Sequence, residues 1–358
     1  MHSLHELGWD EFFDKQIDDD ERQRWTPARV VWETRERYRI VTMDGEWSSR
    51  LAGRLRHEAS AGADLPAVGD WVLAAVRPHE RSATIHRRLE RRSAFTRAAA
   101  GRSTGAQIVA ANVDTVLLVT SFNRDFNVRR IERYLALTWE SGARPIVVLN
   151  KADLATEYNG WIAELESAAQ GVPIVVTSAL LGDGVDEVSA IVRDGGTTAL
   201  LGSSGVGKST LINALLGAEL QNVTPIRDDD DRGRHSTTSR QLFVLPRGGI
   251  VIDTPGMREL QLLDAEAGIE HAFGDIETLA SACRFRDCAH DGEPGCAVGA
   301  AVERGDLPPE RLESYRRLLR EEAFLRARHD ARARAERTKR WKQSAKALRL
   351  QDKLRGRD

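Results

Sequence analysis

Gly202-Ser203-Ser204-Gly205-Val206-Gly207-Lys208-Ser209 follows the apolar run 198–201 and leads into a helical pattern over 209–216. Strand, Gly-x4-Gly-Lys-Ser turn and helix in that order form the context a phosphate-binding loop requires, which a merely Gly/Ser-rich turn lacks. The glycines let backbone N–H groups converge on phosphate oxygens, and the helix start adds the positive end of its dipole. Lys208 is expected to neutralise the terminal phosphates and Ser209 to ligate Mg²⁺, with Thr210 beside it in the nucleotide site.

Upstream, Asn150-Lys151-Ala152-Asp153 ends the apolar run 145–149. A carboxylate such as Asp153 accepts both the ring N–H and the exocyclic amine of guanine, whereas adenine presents an acceptor at that ring nitrogen, so GTP is expected over ATP. Alone, the tetrad also fits a helix cap in which Asp153 satisfies first-turn N–H groups. Thr177-Ser178-Ala179, after the run 173–176, fits the segment whose backbone touches the guanine oxygen, through Ser178 and Ala179. Downstream, Asp253-Thr254-Pro255-Gly256 closes another apolar run, with Asp253 expected to hold Mg²⁺ through water and Gly256 to sense the γ-phosphate. Between them, Gly233-Arg234-His235-Ser236-Thr237-Thr238 is suited to a switch supplying Thr237 or Thr238 to Mg²⁺.

The order of these motifs decides the topology. In ordinary G proteins the phosphate loop comes first and the guanine loop last; here residues 150–153 and 178–179 precede 202–209. Joining the ordinary ends and cutting after residues 253–256 reproduces this order, leaves the sheet unchanged, and makes 114–123 the strand that normally follows that motif. The second switch then runs directly into the C-terminal segment, offering a route for nucleotide state to reach it.

Met257 stands where Ras-like enzymes place the glutamine that orients the attacking water, and a thioether cannot do that. His235 is the nearest chemical substitute, able to position or deprotonate water; capping or RNA contact is the alternative role.

The three cysteines of the chain fall in one segment, Cys283, Cys288 and Cys296, with His290 among them. An odd number at such close spacing argues against a disulfide framework and for a metal site. Three thiolates and one imidazole complete a tetrahedral Zn²⁺ shell with no open position, hence a structural site.

At 358 residues several domains are expected. Residues 28–92 hold short β-rich runs (29–32, 38–43, 70–76 and 83–87) that suggest a small β-barrel, either an oligonucleotide-binding (OB) fold or an SH3-like barrel. Beyond 101, apolar runs alternate with helical patterns, the signature of an α/β fold with a mostly parallel sheet. The domain division read from this is an N-terminal extension (1–24), a barrel (25–100), a nucleotide domain (101–262), a helical zinc-binding domain (263–330) and a basic helical tail (331–358). No run of about 18 apolar residues suggests a membrane span, and residues 1–16 lack a signal-peptide layout, so a cytoplasmic location is expected. The net charge of −2 conceals an asymmetry: residues 311–358 hold 17 Lys plus Arg against 7 Asp plus Glu. Arg81, Arg87, Arg88, Arg91, Arg92 and Arg97 crowd a second stretch, and both are candidate polyanion contacts, although a charge run is more often a solvated face.

Across nearly its whole length the chain resembles the RsgA (YjeQ) family of small ribosomal subunit biogenesis GTPases. The resemblance is carried by Leu65-Pro66-Ala67-Val68-Gly69-Asp70-Trp71, Ala110-Ala111-Asn112-Val113-Asp114, Asp125-Phe126-Asn127, the permuted nucleotide motifs and the Cys/His spacing. It implies an OB-fold barrel that binds RNA, a circularly permuted GTPase domain and a zinc-binding C-terminal domain. It further implies Mg²⁺-GTP as ligand, and a monomer that acts late in maturation of the 30S ribosomal subunit, contacts 16S rRNA, and hydrolyses GTP faster when the subunit is bound. Ser236 departs from the family's usual Gly-Arg-His-Thr-Thr-Thr, and neither the acidic run 228–231 nor the basic tail is assigned by the resemblance. The competing reading is a nucleotide-gated RNA-binding module whose turnover is incidental.

Overall fold

In a computed structural model of the chain, the structure describes residues 2–34, 37–59, 62–98, 106–123, 126–217, 241–253, 260, 262, 264–328, 330–331 and 335. His235, Thr237, Thr238, Gly256, Met257, the acidic run 228–231 and the tail beyond 335 lie outside the described residues.

Two short helices, α1 (Glu11–Asp14) and α2 (Asp19–Arg24), precede the barrel. Asp10 caps the first, and Asp18 and Glu21 form a reciprocal capping box on the second, so these acidic residues serve helix initiation. The barrel comprises β1 (Thr26–Glu33), β2 (Tyr38–Thr42), β3 (Gly45–Leu51), α3 (Gly53–Glu58), β4 (Trp71–Arg77) and β5 (Ser82–Arg88). Its order is β1-β2-β3-β5-β4, closed by β4 pairing back onto β1, with β3 and β5 parallel and the other pairs antiparallel. This Greek-key closure, with a helix between the third and fourth strands, is the OB arrangement and excludes the SH3-like alternative. Alternation along β1 sends Ala28 and Val30 into the barrel core and Val31 out into the core of the following domain. Leu7, Phe13 and Ile17 pack on Trp71, Leu73 and Leu89, so the N-terminal segment is sealed against the barrel wall.

A hairpin, β6 (Ala94–Ala98) and β7 (Ala106–Ala111), leads to the α/β domain. This contains β8 (Thr115–Ser121), α4 (Val128–Glu140), β9 (Arg144–Asn150), α5 (Asn159–Ala168), β10 (Ile174–Val176), α6 (Val185–Asp194), β11 (Thr197–Leu201), α7 (Lys208–Leu216), β12 (Gln241–Val244) and β13 (Ile250–Asp253). The sheet order is β10-β9-β8-β11-β13-β12, parallel except for the β12–β13 hairpin. β8 lies between β11 and β9, the neighbour expected if the conventional chain is cut after Asp253. β12 also touches β1 at Gln241 and Trp32, joining barrel and sheet.

The C-terminal region holds α8 (Glu266–Ala272), α9 (Gly274–Ala280), the Cys/His segment, α10 (Ala297–Arg304) and α11 (residues 309–328). Its apolar residues Ile269, Phe273, Ile276, Leu312 and Tyr315 share one core with Ile131 and Leu135 of α4. Leu260 and Leu262, just past the second switch motif, are buried in that same core, so the chain's exit from the nucleotide domain is anchored. No helix among the described residues is long and apolar enough to cross a membrane.

The arginines of 81–97 are largely engaged internally. Arg87 pairs with Glu21, Arg91 with the fully buried Asp70, and Arg92 with Asp10 and Asp114. Similarly, Arg311 of the basic C-terminal stretch is buried against Glu132 and Asp275. These side chains hold segments together, and the composition of the run does not by itself make it a polyanion surface.

Candidate functional site

In a parallel sheet the loops leaving the C-terminal strand ends share one edge. β9, β10, β11 and β13 deliver there, respectively, Asn150, Thr177, Gly202 and Asp253. The phosphate loop turns through Gly205 and Gly207 with φ of +82° and +97°, conformations that L side chains rarely adopt. A Cβ on Gly207 would also lie 2.3 Å from Asn150 Nδ2, so glycine is needed there both for its backbone and for the close approach of the guanine loop. Lys208 donates to the carbonyl oxygens of Gly202 and Ser203 at 2.6 Å each, which holds its ammonium over the loop. Ser209 and Thr210 follow in the exposed first turn of α7.

Asn150 is the centre of the arrangement. Its Nδ2 donates to Val206 O at 2.9 Å, and its Oδ1 accepts from Thr177 Oγ1 at 3.1 Å and Ala179 N at 3.0 Å. One buried amide thus ties together the glycine-rich loop and the segments 150–153 and 177–179. Lys151 sits in the left-handed region with φ of +63°, and a 3₁₀ turn, Ala152–Leu154, follows. Asp153 Oδ1 accepts from Ser178 Oγ at 2.5 Å, and Ala152 N donates to Thr177 O at 3.0 Å. The helix-cap alternative for Asp153 fails here, because the carboxylate's described partner is the Ser178 hydroxyl and not a first-turn N–H. Asp253 ends β13, beside the strand that carries the phosphate loop. The described sequence-derived residues therefore converge on one edge, despite their inverted order.

The permuted strand order and the convergence of these loops have counterparts in known proteins. A family model described as RsgA GTPase matches residues 88–263. A protein of Opitutus terrae named small ribosomal subunit biogenesis GTPase RsgA is 46% identical over 365 residues, spanning 99% of each chain. The chain belongs to the RsgA GTPase family. A second RsgA, from Streptomyces avermitilis, is 44% identical over 95% of this chain and 91% of its own. The crystal structure of YjeQ from Thermotoga maritima superimposes with a TM-score of 0.62 at 29% identity, covering 84% of this chain and 99% of the other. YloQ, described as a circularly permuted GTPase, shares the fold with a TM-score of 0.61 at 24% identity, over 87% and 99% of the two chains.

The RsgA-type C-terminal region gathers its four metal-ligand candidates. Cys283, Cys288, His290 and Cys296 offer ligand atoms that all lie within 4.8 Å of one another. His290 Nδ1 is 3.6 Å from Cys283 Sγ and 3.5 Å from Cys296 Sγ. A tetrahedral site with zinc-like bond lengths puts sulfur and nitrogen about 3.5 Å apart, so the cluster fits a metal of that size. His290 adopts φ of +58° to turn its ring inward. Burial favours the neutral imidazole and lowers its pKa, as a ligand requires. Backbone N–H groups of Ala297 and Gly299 donate to Cys283 Sγ and Cys296 Sγ at 3.3 and 3.2 Å. Burial pushes the Cys283 thiol up, but hydrogen bonds from Val298 and Ala297 outweigh it and the net shift is downward; Cys288, with burial dominant, is pushed up to about 11. The cluster can hold a metal ion.

Two contributions escaped the sequence reading. Thr177 belongs to a motif singled out for its backbone but not for its hydroxyl, which donates to Asn150 and completes the amide's bonding. Glu293 accepts from the N–H groups of Ala289 and Asp291 at 2.9 and 2.6 Å, which shapes the metal loop, and nothing in its sequence context distinguishes it from a solvated acid.

Proposed function

We propose that this protein hydrolyses GTP to GDP and phosphate and assists late maturation of the small ribosomal subunit, with hydrolysis accelerated by the subunit. The observation that carries the reading is the Asn150 amide bonded to Val206 of the phosphate loop and to Thr177 and Ala179 of the second guanine segment, which makes one site of three motifs. The family and the names of its relatives support the ribosomal role.

In this site Asp153 reads the guanine edge, the Lys151 stem covers the purine, and Ser178 and Ala179 address the guanine oxygen. The N–H groups of 202–209, together with Lys208 and Thr210, hold the phosphates. Mg²⁺ would be held by Ser209, by Asp253 through water and by Thr237 or Thr238, and would supply charge neutralisation on the phosphates. Gly256 senses the terminal phosphate, and His235 orients the attacking water. Cys283, Cys288, His290 and Cys296 would hold Zn²⁺, which would fix the loop that connects α9 and α10. The barrel binds 16S rRNA, the protein acts in the cytoplasm as a monomer with no membrane partner, and the domains divide near residues 24, 100, 262 and 330. The β1–β5 barrel within 26–88 and the cluster at 283–296 support that division.

The deciding experiment is the GTPase rate with and without isolated 30S subunits. Acceleration by about tenfold or more is expected; no acceleration by 30S, with acceleration by another RNA or protein, would refute the ribosomal assignment.

A further inference from the structure

Arg29 lies in the middle of β1, yet its side chain leaves the barrel. Only 1% of it is exposed, and every described hydrogen bond it makes crosses to another segment. Nη1 donates to Leu7 O of the N-terminal segment at 2.6 Å, and Nε to Gly69 O of the turn before β4 at 3.0 Å. Nη2 donates to Asn112 O at the junction with the nucleotide domain at 3.2 Å, and to Thr197 Oγ1 at 2.9 Å. Thr197 opens β11, the strand that ends in the phosphate loop, and its backbone is fixed by Asp114, whose carboxylate accepts Thr197 N at 2.8 Å.

The surroundings leave no slack. A Cβ on Gly69 would lie 2.1 Å from Ala111 O, so the barrel turn is pressed against the junction. A Cβ on Gly8 would lie 2.4 Å from Arg29 Nη1, so the N-terminal segment closes over the guanidinium. The acceptors of Arg29 are neutral carbonyls and a hydroxyl. They orient the cation, while burial lowers the guanidinium's pKa to about 10, a cost that Asp114 and Asp70 offset only in part; losing one acceptor leaves a buried charge short of a hydrogen-bond partner. One side chain is thereby hydrogen-bonded to four segments.

We propose that Arg29 is the joint through which occupancy of the phosphate loop is felt in the barrel, the four segments it holds responding together when β11 is fixed by nucleotide. The proposal rests on the nucleotide-site reading above and adds a route to the barrel that avoids both switches. Arg29 touches no substrate in this account; it is a positioning residue.

Amide hydrogen exchange of the full chain, with and without Mg²⁺-GDP, tests it. In the unaltered protein GDP is expected to slow exchange in 198–216 and also in β4 and β5, the latter by about fivefold or more. In Arg29→Met the slowing at 198–216 is expected to remain and that in β4 and β5 to vanish. Thr197→Val, which removes a single acceptor, should reduce it and covers the case in which Arg29→Met does not fold. A merely structural role would speed exchange equally with and without nucleotide, leaving the GDP-dependent difference intact, and that result overturns the proposal. So does a barrel indifferent to GDP while 198–216 is protected. Absence of protection at 198–216 itself would instead refute the nucleotide site.

Discussion

Ser178 donates its hydroxyl hydrogen bond to Asp153 Oδ1 at 2.5 Å, a contact across 25 residues that fixes one oxygen of the carboxylate proposed to read guanine. Asp153→Asn keeps the shape but presents an amide donor to guanine's donors. GTP affinity should fall by about two orders of magnitude or more, and xanthosine triphosphate, with a carbonyl in place of the amine, should bind better than GTP. Competition binding of the two nucleotides checks this, and unchanged preference for GTP would remove Asp153 from base recognition.

Asn150→Ala leaves Val206 O, Thr177 Oγ1 and Ala179 N without their partner. A loss of about 1–3 kcal/mol in stability is expected, together with weakened nucleotide binding. Urea unfolding and calorimetric titration with GDP measure the two effects. Gly207→Ala should be at least as damaging to binding, because it combines a positive φ with a Cβ on Asn150.

Removing one thiolate should release the metal. Cys288→Ser is expected to lower zinc content from about one per chain towards zero and to lower the melting temperature, as a chelator should in the unaltered protein. Elemental analysis and thermal unfolding decide it; a folded, metal-free unaltered protein with full stability would contradict a structural ion.

The C-terminal region is held to α4 by Arg311 and Glu132, 3.1 Å apart and both almost wholly sealed from water. Ser314 also donates to Glu132, and Arg311 bonds Asp275. Arg311→Ala leaves the buried Glu132 with Arg129, 2.9 Å away, and Ser314 as partners and removes the cation on Asp275, so it should cost about 2–3 kcal/mol, whereas pairing Arg311→Met with Glu132→Gln should recover part of that loss. Equal destabilisation by the single and paired changes in urea unfolding would show that the ion pair is not what holds the interface.

His235→Ala should reduce subunit-stimulated hydrolysis by about a hundredfold while leaving GDP affinity unchanged. Single-turnover rates with 30S present separate these, and an unaltered stimulated rate would exclude His235 from the chemistry.

What could be read in the sequence was chemistry confined to short windows. The phosphate loop, Asn150-Lys151-Ala152-Asp153 and the Cys/His spacing each announce themselves within a few residues, and their inverted order implied the sheet that β8, β9, β11 and β13 form. β3 had only a weak signal: Trp47, Ser49 and Leu51 face inward between the exposed Glu46, Ser48 and Arg50, but the polar Ser49 interrupts the apolar series. Long-range pairing was likewise invisible. Arg87, Arg91 and Arg92 have the same local appearance as an RNA-facing run, and only the fold brings Glu21, Asp70, Asp10 and Asp114 to them. Arg29 shows the limit most plainly, since its four partners come from segments up to 168 residues away.

The phosphate loop and Asp153 are proposed to address one guanine nucleotide. Calorimetric titration of the full-length protein with Mg²⁺-bound, non-hydrolysable GTP and ATP analogues tests this most directly. The account predicts a preference for the guanine nucleotide of about a hundredfold or more; equal affinity for the two would contradict it.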